Sequence, residues 1–284
     1  MKKTEGCYDC ILRFSKDIIK KTNQYNKLEE VKKMIKNSSS DLTPAVIVGD
    51  IWKFLTKDLK DKDVLKKEKM EMNREVKKII ENLDYEKFSF KDFVKLSIFG
   101  NLIDFYVANL KSRICDPKKI KENLQPFLSE PLTIDDGDKL EELIDNRTVF
   151  YITDNAGEIG FDSLFIKKIL EKAKKVYIAV KDSPYSNDTT KEDALFFDMD
   201  KLGNIIEFPS IGGFWIDSLK GKNKKAFDES DIVIAKGQAN FETLTEQKSD
   251  KAIAFILRTK CPYISRYIGV PINSNICWIK MPLQ

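Results

Sequence analysis

The sequence has 284 residues, of which 49 are basic and 45 acidic, for a formal net charge of +4; 42% of its residues are hydrophobic. A chain of this length can bury a sizeable core and form one large domain or two smaller ones. The small, scattered positive charge argues against nucleic-acid binding. With no apolar run of about eighteen residues and no apolar signal-peptide core, we expect a soluble, cytoplasmic protein that does not bind membranes.

Histidine is absent from the sequence. Its absence excludes Ser-His-Asp and Cys-His catalysis and histidine-ligated zinc. Any chemistry must therefore use carboxylates, lysines, thiols or a metal ion. The five cysteines are an odd number without a secretion signal, which favours free thiols over a disulfide framework.

The first part of the chain, residues 1–145, has apolar residues at helical spacing and few strand signals, which predicts an α-helical domain. Pro117, Pro126 and Pro131 predict an irregular connection over 116–137. In chain order, the predicted helices begin after Cys7-x-x-Cys10 and then cover 28–35, 45–59, 64–83, 88–110 and 139–144.

The second part, residues 146–284, alternates short β-branched runs with helical patterns. This alternation predicts an α/β domain with a mostly parallel sheet and helices on both faces. The predicted strands are 149–152, 175–180, 204–208, 231–235, 251–257 and 277–279, with helices at 191–197 and 261–267.

Acidic and amide side chains follow the first predicted strand directly. Asp154 and Asn155 come after the apolar run, and Glu158 then begins a helical pattern. Carboxylate and amide oxygens suit magnesium or manganese. Taken alone, however, the pair is better explained by Asp154 capping the following helix and Asn155 filling a turn.

Similar residues follow two more predicted strands, and loops at the carboxyl edge of a parallel sheet converge in space. Together the loops predict a site in which aspartates and an asparagine hold a cation while lysines and backbone amides hold an anion. The residues concerned are Asp154, Asn155 and Glu158, then Lys181, Asn187 and Asp188, then Lys236, Gly237, Gln238, Asn240 and Glu242.

Asn101 and Asp104 lie three residues apart in the most apolar predicted helix, so they share one helix face. They form either a hydrogen bond inside the helical bundle or a wall of the active site. The spacing alone does not separate these alternatives.

Cys7 and Cys10 also leave two alternatives open. With Cys261 or Cys115 they could bind zinc or iron as a second metal site, or they could be ordinary reduced thiols.

Three segments closely resemble the signature motifs of the damage-control phosphatase family, a former domain of unknown function that includes acidic-residue methyltransferase-like proteins. They are Asp154-Asn-Ala-Gly-Glu158, Asn187-Asp-Thr-Thr-Lys-Glu-Asp-Ala194 and Lys236-Gly-Gln-Ala-Asn-Phe-Glu242. Gly100-Asn-Leu-Ile-Asp104, the early Cys7-x-x-Cys10 and Lys260-Cys-Pro262 resemble its small archaeal and bacterial branch. Ser183-Pro-Tyr-Ser186 departs from the smaller, more apolar residues expected there.

The resemblance implies a helical domain packed on a Rossmann-like α/β/α domain. It also implies a phosphatase dependent on a divalent metal (Mg, Mn, Co or Ni) that acts on small phosphorylated metabolites, such as sugar phosphates or damaged cofactor precursors. By motif, Asp154, Asn155 and Asp188 take the metal-ligand positions.

We expect the metal to activate a water molecule whose proton passes to Asp154 or Glu158, and Lys236 to hold the phosphate. The predicted catalytic residues are Asp154, Glu158, Asp188 and Lys236, and the predicted substrate-binding residues are Asn101, Asp104, Gly157, Asn187, Gly237, Asn240 and Glu242.

Two other functions stay open. An S-adenosylmethionine-dependent carboxyl methyltransferase would want a glycine-rich loop after the first strand, which Asp154-Asn-Ala-Gly-Glu158 does not supply. A non-catalytic protein that binds phosphorylated ligands would retain the site without turnover. Phosphate release with added metal would separate the phosphatase from both.

Overall fold

The computed structural model describes residues 1–102 and 117–282, and within them it contains seven strands and twelve α-helices. The strands are β1 (Ile134–Asp135), β2 (Thr148–Ile152), β3 (Lys175–Lys181), β4 (Asn204–Phe208), β5 (Ile232–Lys236), β6 (Ala252–Arg258) and β7 (Asn275–Lys280). The helices are α1 (Cys7–Thr22), α2 (Leu28–Asn37), α3 (Pro44–Thr56), α4 (Lys66–Glu81), α5 (Phe90–Gly100), α6 (Pro117–Ser129), α7 (Gly137–Leu143), α8 (Glu158–Leu170), α9 (Lys191–Phe196), α10 (Gly221–Asp228), α11 (Gly237–Leu244) and α12 (Pro262–Ile268). Short 3₁₀ turns lie at Tyr25–Lys27, Met199–Lys201 and Ile216–Ser218.

The strands form one sheet in the order β1-β7-β6-β5-β2-β3-β4. Every neighbouring pair is parallel except β6 and β7, which are antiparallel. The prediction of an α/β fold with a mostly parallel sheet is thus confirmed. The chain runs from β2 outward to β4 and then crosses to β5, on the other side of β2. Strand order therefore reverses between β2 and β5, which is where open α/β sheets bind their ligands.

Side chains alternate between the two faces of the sheet. Val149 and Tyr151 of β2 join the apolar core shared with α4 to α9, whereas Phe150 and Ile152 join the core on the opposite face, shared with α10 to α12. Both faces of a parallel sheet must be covered, which explains why its central strands are apolar throughout.

The first part of the chain packs directly on the sheet layers. Helices α1 to α3 share a third apolar cluster, while α4 and α5 pack against α8. The two-residue β1 pairs with β7, so residues before 146 also contribute to the sheet. The division into domains at 145/146 stays a prediction.

Two predictions of secondary structure in this part were wrong. The helix expected over 88–110 begins at a capping box between Ser89 and Asp92 and ends as α5 at Gly100, with Asn101 as its C-cap; residues 103–110 lie outside the described residues.

The connection expected over 116–137 contains α6 instead, with Pro126 inside the helix. Leu124, Phe127 and Leu128 are buried at helical spacing, and this apolar face stabilises the helix despite the proline.

Among the helices of residues 1–102 and 117–282, none combines the length and apolar character needed to cross a bilayer.

Candidate active site

The loops after β2 and β5 meet where the strand order reverses. Gly237 follows β5 with a φ of +77°, a conformation that favours glycine. A Cβ atom on Gly237 would collide with the carboxylate of Asp154, so that carboxylate lies directly against the backbone of the second loop. The close approach explains why a glycine stands at this position.

The loop after β3 joins the loop after β2 through backbone hydrogen bonds. Asn155 and Asp188 form an isolated antiparallel bridge. Ala156 N donates to Asn187 O at 2.9 Å, and Thr189 N donates to Asp154 O at 2.9 Å. This short two-stranded piece brings Asp154, Asn155 and Asp188 together, as the sequence predicts.

These three side chains have the chemistry of a site for a hard divalent cation. Asp154 and Asp188 are partly exposed, whereas Asn155 between the two loops is buried. Asn155 Nδ2 donates to Asp154 Oδ2 at 3.0 Å and approaches Glu158 Oε2 at 3.4 Å, which leaves the amide oxygen as the atom suited to bind a cation. Two carboxylates and one amide fit magnesium or manganese with coordination positions left for water and phosphate. We call these three residues the metal cradle, after the role that is proposed for them below.

Behind the metal cradle lies a buried ionic cluster of Glu158, Asp162 and Lys236, all with fully buried side chains. The Lys236 ammonium forms an ion pair with Glu158 and lies 3.3 Å from Asp162 Oδ1. It also donates to Ser97 O at 2.9 Å. Asn101 Nδ2 donates to Glu158 Oε1 at 2.5 Å. The cluster joins α5, α8 and the end of β5.

The pKa values in this cluster reflect burial and charge. Burial raises the pKa of Asp162 to about 6, with Lys236 opposing that effect and Glu158 adding to it. For Lys236, burial lowers the pKa, but the nearby Asp162 and Glu158 carboxylates outweigh it and leave the pKa above its ordinary value. Lys236 is therefore a charged ammonium at neutral pH.

Sequence reasoning missed Asp162, although a signal was present. Asp162 lies four residues after Glu158 and so shares its helix face, and it interrupts an apolar stretch of α8. An aspartate in such a stretch needs a charged or hydrogen-bonding partner.

Lys181 lies beside the metal cradle at the end of β3. Its ammonium is 3.7 Å from Asp188 Oδ2 and donates to Ile211 O at 2.7 Å and to Gly213 O at 2.9 Å. Burial lowers its pKa, whereas Asp188 and Asp154 act in the opposite direction. Lys181 thus ties the loop at 211–213 to the metal cradle.

Several predicted substrate-binding residues make contacts that hold the loops in place. Asn240 Nδ2 donates to Thr153 O at 3.1 Å and to Lys236 O at 2.7 Å, which ties the ends of β2 and β5. Gly157 N donates to Asn73 Oδ1 at 2.6 Å. Substrate binding by Asn240, Gly157, Asn187 and Gly237 stays a prediction.

Glu242 lies on α11 and contacts the start of α3. It accepts a hydrogen bond from Ala45 N at 3.2 Å, and burial raises its pKa to about 7. Its predicted role in substrate binding stays a prediction.

Asn101 links the first part of the chain to the site. Besides donating to Glu158, it accepts a hydrogen bond at Oδ1 from Arg258 N at 3.0 Å. Both contacts reach beyond the helical bundle, and a role of Asn101 in substrate binding stays a prediction. Asp104 lies outside the described residues.

The four cysteines that the structure describes, Cys7, Cys10, Cys261 and Cys277, are free thiols. Across residues 1–102 and 117–282, no three Cys, Asp or Glu side chains are grouped so that they could hold a metal ion. The second metal site suggested by Cys7, Cys10 and Cys261 therefore finds no support there, and Cys115 lies outside the described residues. Burial raises the pKa of the Cys261 thiol, which disfavours the thiolate that a metal ligand requires.

Comparison with known families agrees with the motifs. The model of the damage-control phosphatase ARMT1-like domain matches residues 4–276. The chain belongs to this family. The resemblance seen in the sequence motifs is thereby confirmed.

Its relatives match over most of their length. A damage-control phosphatase from Pyrococcus horikoshii is 35% identical over 250 residues, covering 87% of this chain and 85% of the relative. One from Archaeoglobus fulgidus is 36% identical over 206 residues, covering 70% and 67%. A crystal structure of a DUF89 family protein from Pyrococcus horikoshii superposes with a TM-score of 0.86 at 33% identity, covering 98% of both chains.

Proposed function

We propose that this protein is a divalent-metal-dependent phosphatase that hydrolyses phosphomonoesters of small metabolites, such as sugar phosphates or damaged cofactor precursors. The observation that carries the proposal is the convergence of Asp154, Asn155 and Asp188 at the reversal of strand order. Family membership supports a phosphatase acting on damaged metabolites.

The metal cradle would hold magnesium, manganese, cobalt or nickel, since all accept oxygen ligands. When bound, such an ion supplies charge neutralisation at the phosphoryl group and activation of water. The chain's own contribution is to keep the carboxylates of Asp154 and Asp188 fixed and accessible at one edge of the sheet.

Two carboxylates are candidates for the group that accepts the proton of the attacking water. Glu158 is fully buried and engaged by Lys236 and Asn101, whereas Asp154 is half-buried. Accessibility therefore favours Asp154 as the base. Glu158 then acts by holding Asn101 and Asn155 in position.

The role that we propose for Lys236 differs from the phosphate binding that the motif suggests. Its ammonium already contacts two carboxylates and a carbonyl oxygen. We assign it the neutralisation of Glu158 and Asp162, and phosphate binding by Lys236 stays a prediction.

The substrate is a small phosphate ester in this proposal. Three expectations from the sequence stay predictions: the protein binds no nucleic acid, binds no membrane and is cytoplasmic. The sequence leaves the oligomeric state open.

A panel of phosphorylated metabolites, assayed with Mg²⁺, Mn²⁺, Co²⁺ or Ni²⁺, tests the proposal. We expect phosphate release only with added metal. Turnover should fall by about 100-fold or more in Asp154→Asn and Asp188→Asn, because replacing residues around metal ligands already lowers activity by up to about 100-fold. Asp231→Asn is the matched control, since Asp231 is exposed and pairs with Arg147 at the opposite edge of the sheet.

Undiminished turnover in Asp154→Asn at matched metal concentration would refute the assignment. Tight binding of phosphate esters without any turnover would instead indicate a non-catalytic binding protein, and methyl transfer from S-adenosylmethionine without phosphate release would indicate the transferase.

A further inference from the structure

Helix α4 carries two buried polar side chains on one face. Lys69 and Asn73 are four residues apart, and each is only 2% exposed. The rest of the helix is strongly charged and mostly accessible. Burial of an amide and an ammonium is costly unless both are fully paired, so their partners indicate what this face does.

Asn73 contacts the loop that carries Asp154 and Asn155. Its Oδ1 accepts a hydrogen bond from Gly157 N at 2.6 Å. Gly157 is the N-cap of α8 and has a φ of +78°. The first N–H groups of a helix have no partner within it, and Asn73 supplies a partner from another element. It thereby holds the turn that directly follows two residues of the metal cradle.

The other end of the same amide reaches the first turn of α9, directly after the loop that carries Asp188. Asn73 Nδ2 donates to Asp193 Oδ1 at 2.8 Å. Asp193 Oδ2 accepts hydrogen bonds from Thr190 N at 2.9 Å and from Thr190 Oγ1 at 2.8 Å. The Lys69 ammonium lies 3.0 Å from Asp193 Oδ2 and keeps that carboxylate paired. A single side chain on α4 thus connects the start of α8 with the first turn of α9, the two helices that follow the loops of the metal cradle.

The apolar packing of α4 fixes the register of these contacts. Val76, three residues after Asn73, lies against Gly160, three residues after Gly157. A Cβ atom on Gly160 would come within 2.5 Å of Val76 Cγ1. The missing side chain at Gly160 lets α4 approach α8 closely enough for Asn73 to reach Gly157. The contact of Val76 with Gly160 thus positions α4, and Asn73 and Lys69 can then form their polar contacts.

We propose that Asn73, oriented by Asp193 and Lys69, is a positioning residue that stabilises the backbone bridge holding Asp154 and Asn155 beside Asp188. The inference rests on the proposed function, since it concerns the metal cradle described there. Asn73 acts only through the two loops. Side chains that orient metal ligands are known to change metal affinity or activity by about 10–100-fold when removed.

Mn²⁺ binding in the absence of substrate, measured by isothermal titration calorimetry, tests the inference without relying on turnover. We expect Asn73→Ala to raise the Kd for Mn²⁺ by about 10-fold or more. Asn223→Ala is the matched control, because the side-chain amide of Asn223 also bonds to another element, donating to Glu207 O, but it lies on α10. Its Kd should equal that of the wild type.

Asp193→Asn is a milder second variant that keeps an acceptor for Thr190 and weakens the hold on Lys69 and Asn73. We expect a smaller rise in the Kd, and it decides the question if Asn73→Ala does not fold. An unchanged Kd in a folded Asn73→Ala or Asp193→Asn protein, with only a lower Tm, would show that the network merely stabilises the fold.

The wild-type protein separates this inference from the proposed function. If it binds Mn²⁺ but releases phosphate from no ester, the proposed function fails while the comparison of Kd values still decides the role of Asn73. A wild-type protein that binds no Mn²⁺ overturns the metal cradle itself, and the inference with it.

Discussion

Replacing Lys236 by methionine tests the buried ionic cluster, because methionine fills a similar volume without a charge. Glu158 and Asp162 would then face each other in a site from which water is excluded, as both side chains are fully buried. Removing one partner of a buried ion pair typically costs about 3–5 kcal/mol, since an uncompensated charge is left behind. At about 2 °C per kcal/mol for a chain of this size, we expect Tm to fall by about 6–10 °C.

Thermal unfolding followed by circular dichroism at pH 8 measures this effect. Lys201→Met is the control, because Lys201 pairs with Asp198 at 2.7 Å on the surface, where both side chains are well exposed. Exposed ion pairs contribute at most about 1 kcal/mol, so this variant should change Tm by no more than about 2 °C.

A double-mutant cycle with Glu158→Gln then separates lost charge pairing from lost packing. Glutamine keeps an acceptor for Asn101 but removes one of the two charges that Lys236 neutralises. We expect the double variant to be more stable than the sum of the single changes predicts, by about 0.5–3 kcal/mol. Simple additivity, or a Tm of Lys236→Met equal to that of the Lys201→Met control, would refute the cluster as an ionic unit.

Three further changes test other parts of the structure. The pKa of Glu242 is about 7 in the folded protein against an ordinary 4.5, so the folded state holds the extra proton and wild-type stability should fall as pH rises from 4.5 to 7. Glu242→Gln should flatten this slope. In chemical denaturation, the free energy of unfolding of the variant relative to the wild type should be higher at pH 8 than at pH 4.5 by at most about 3 kcal/mol. An unchanged slope would contradict the assignment. Gly237→Ala should weaken Mn²⁺ binding measured by calorimetry, because a Cβ there displaces the Asp154 carboxylate and the positive φ costs about 1–2 kcal/mol; an unaltered Kd would mean that the carboxylate does not bind metal. Asp104→Asn should lower turnover with little change in Tm if Asp104 lines the site as predicted from the sequence, whereas a lower Tm with intact turnover would indicate a bundle hydrogen bond.

The sequence by itself determined which segments become central strands and which polar residues follow them. The runs at β2 and β5 are apolar at successive positions, which a parallel strand requires because both of its faces are covered. Asp154 and Lys236 then fall at strand ends by position alone. The convergence of Asp154, Asn155 and Asp188 followed from the rule that carboxyl ends of parallel strands share one edge.

Only the tertiary structure decided which elements meet. A run of apolar residues shows that a strand is covered by neighbours, but it does not show which elements these are. The position of β5 beside β2 and the antiparallel pairing of β7 therefore depended on long-range contacts. The helix at α6 shows the same limit, since the packing of Leu124 and Phe127 outweighs the local effect of Pro126.

The partners of buried polar groups depended on tertiary structure for the same reason. The lysine after a strand predicts an anion near Lys236, yet the anions it contacts are carboxylates of α8. Asn73 lies in a charged helix 84 positions before Gly157, and nothing in the local pattern distinguishes it from a solvated asparagine. Its role follows from the close approach of α4 to Gly160, a contact that exists only once the helices are packed. Local sequence sets what each side chain can do, and packing sets which partner it meets.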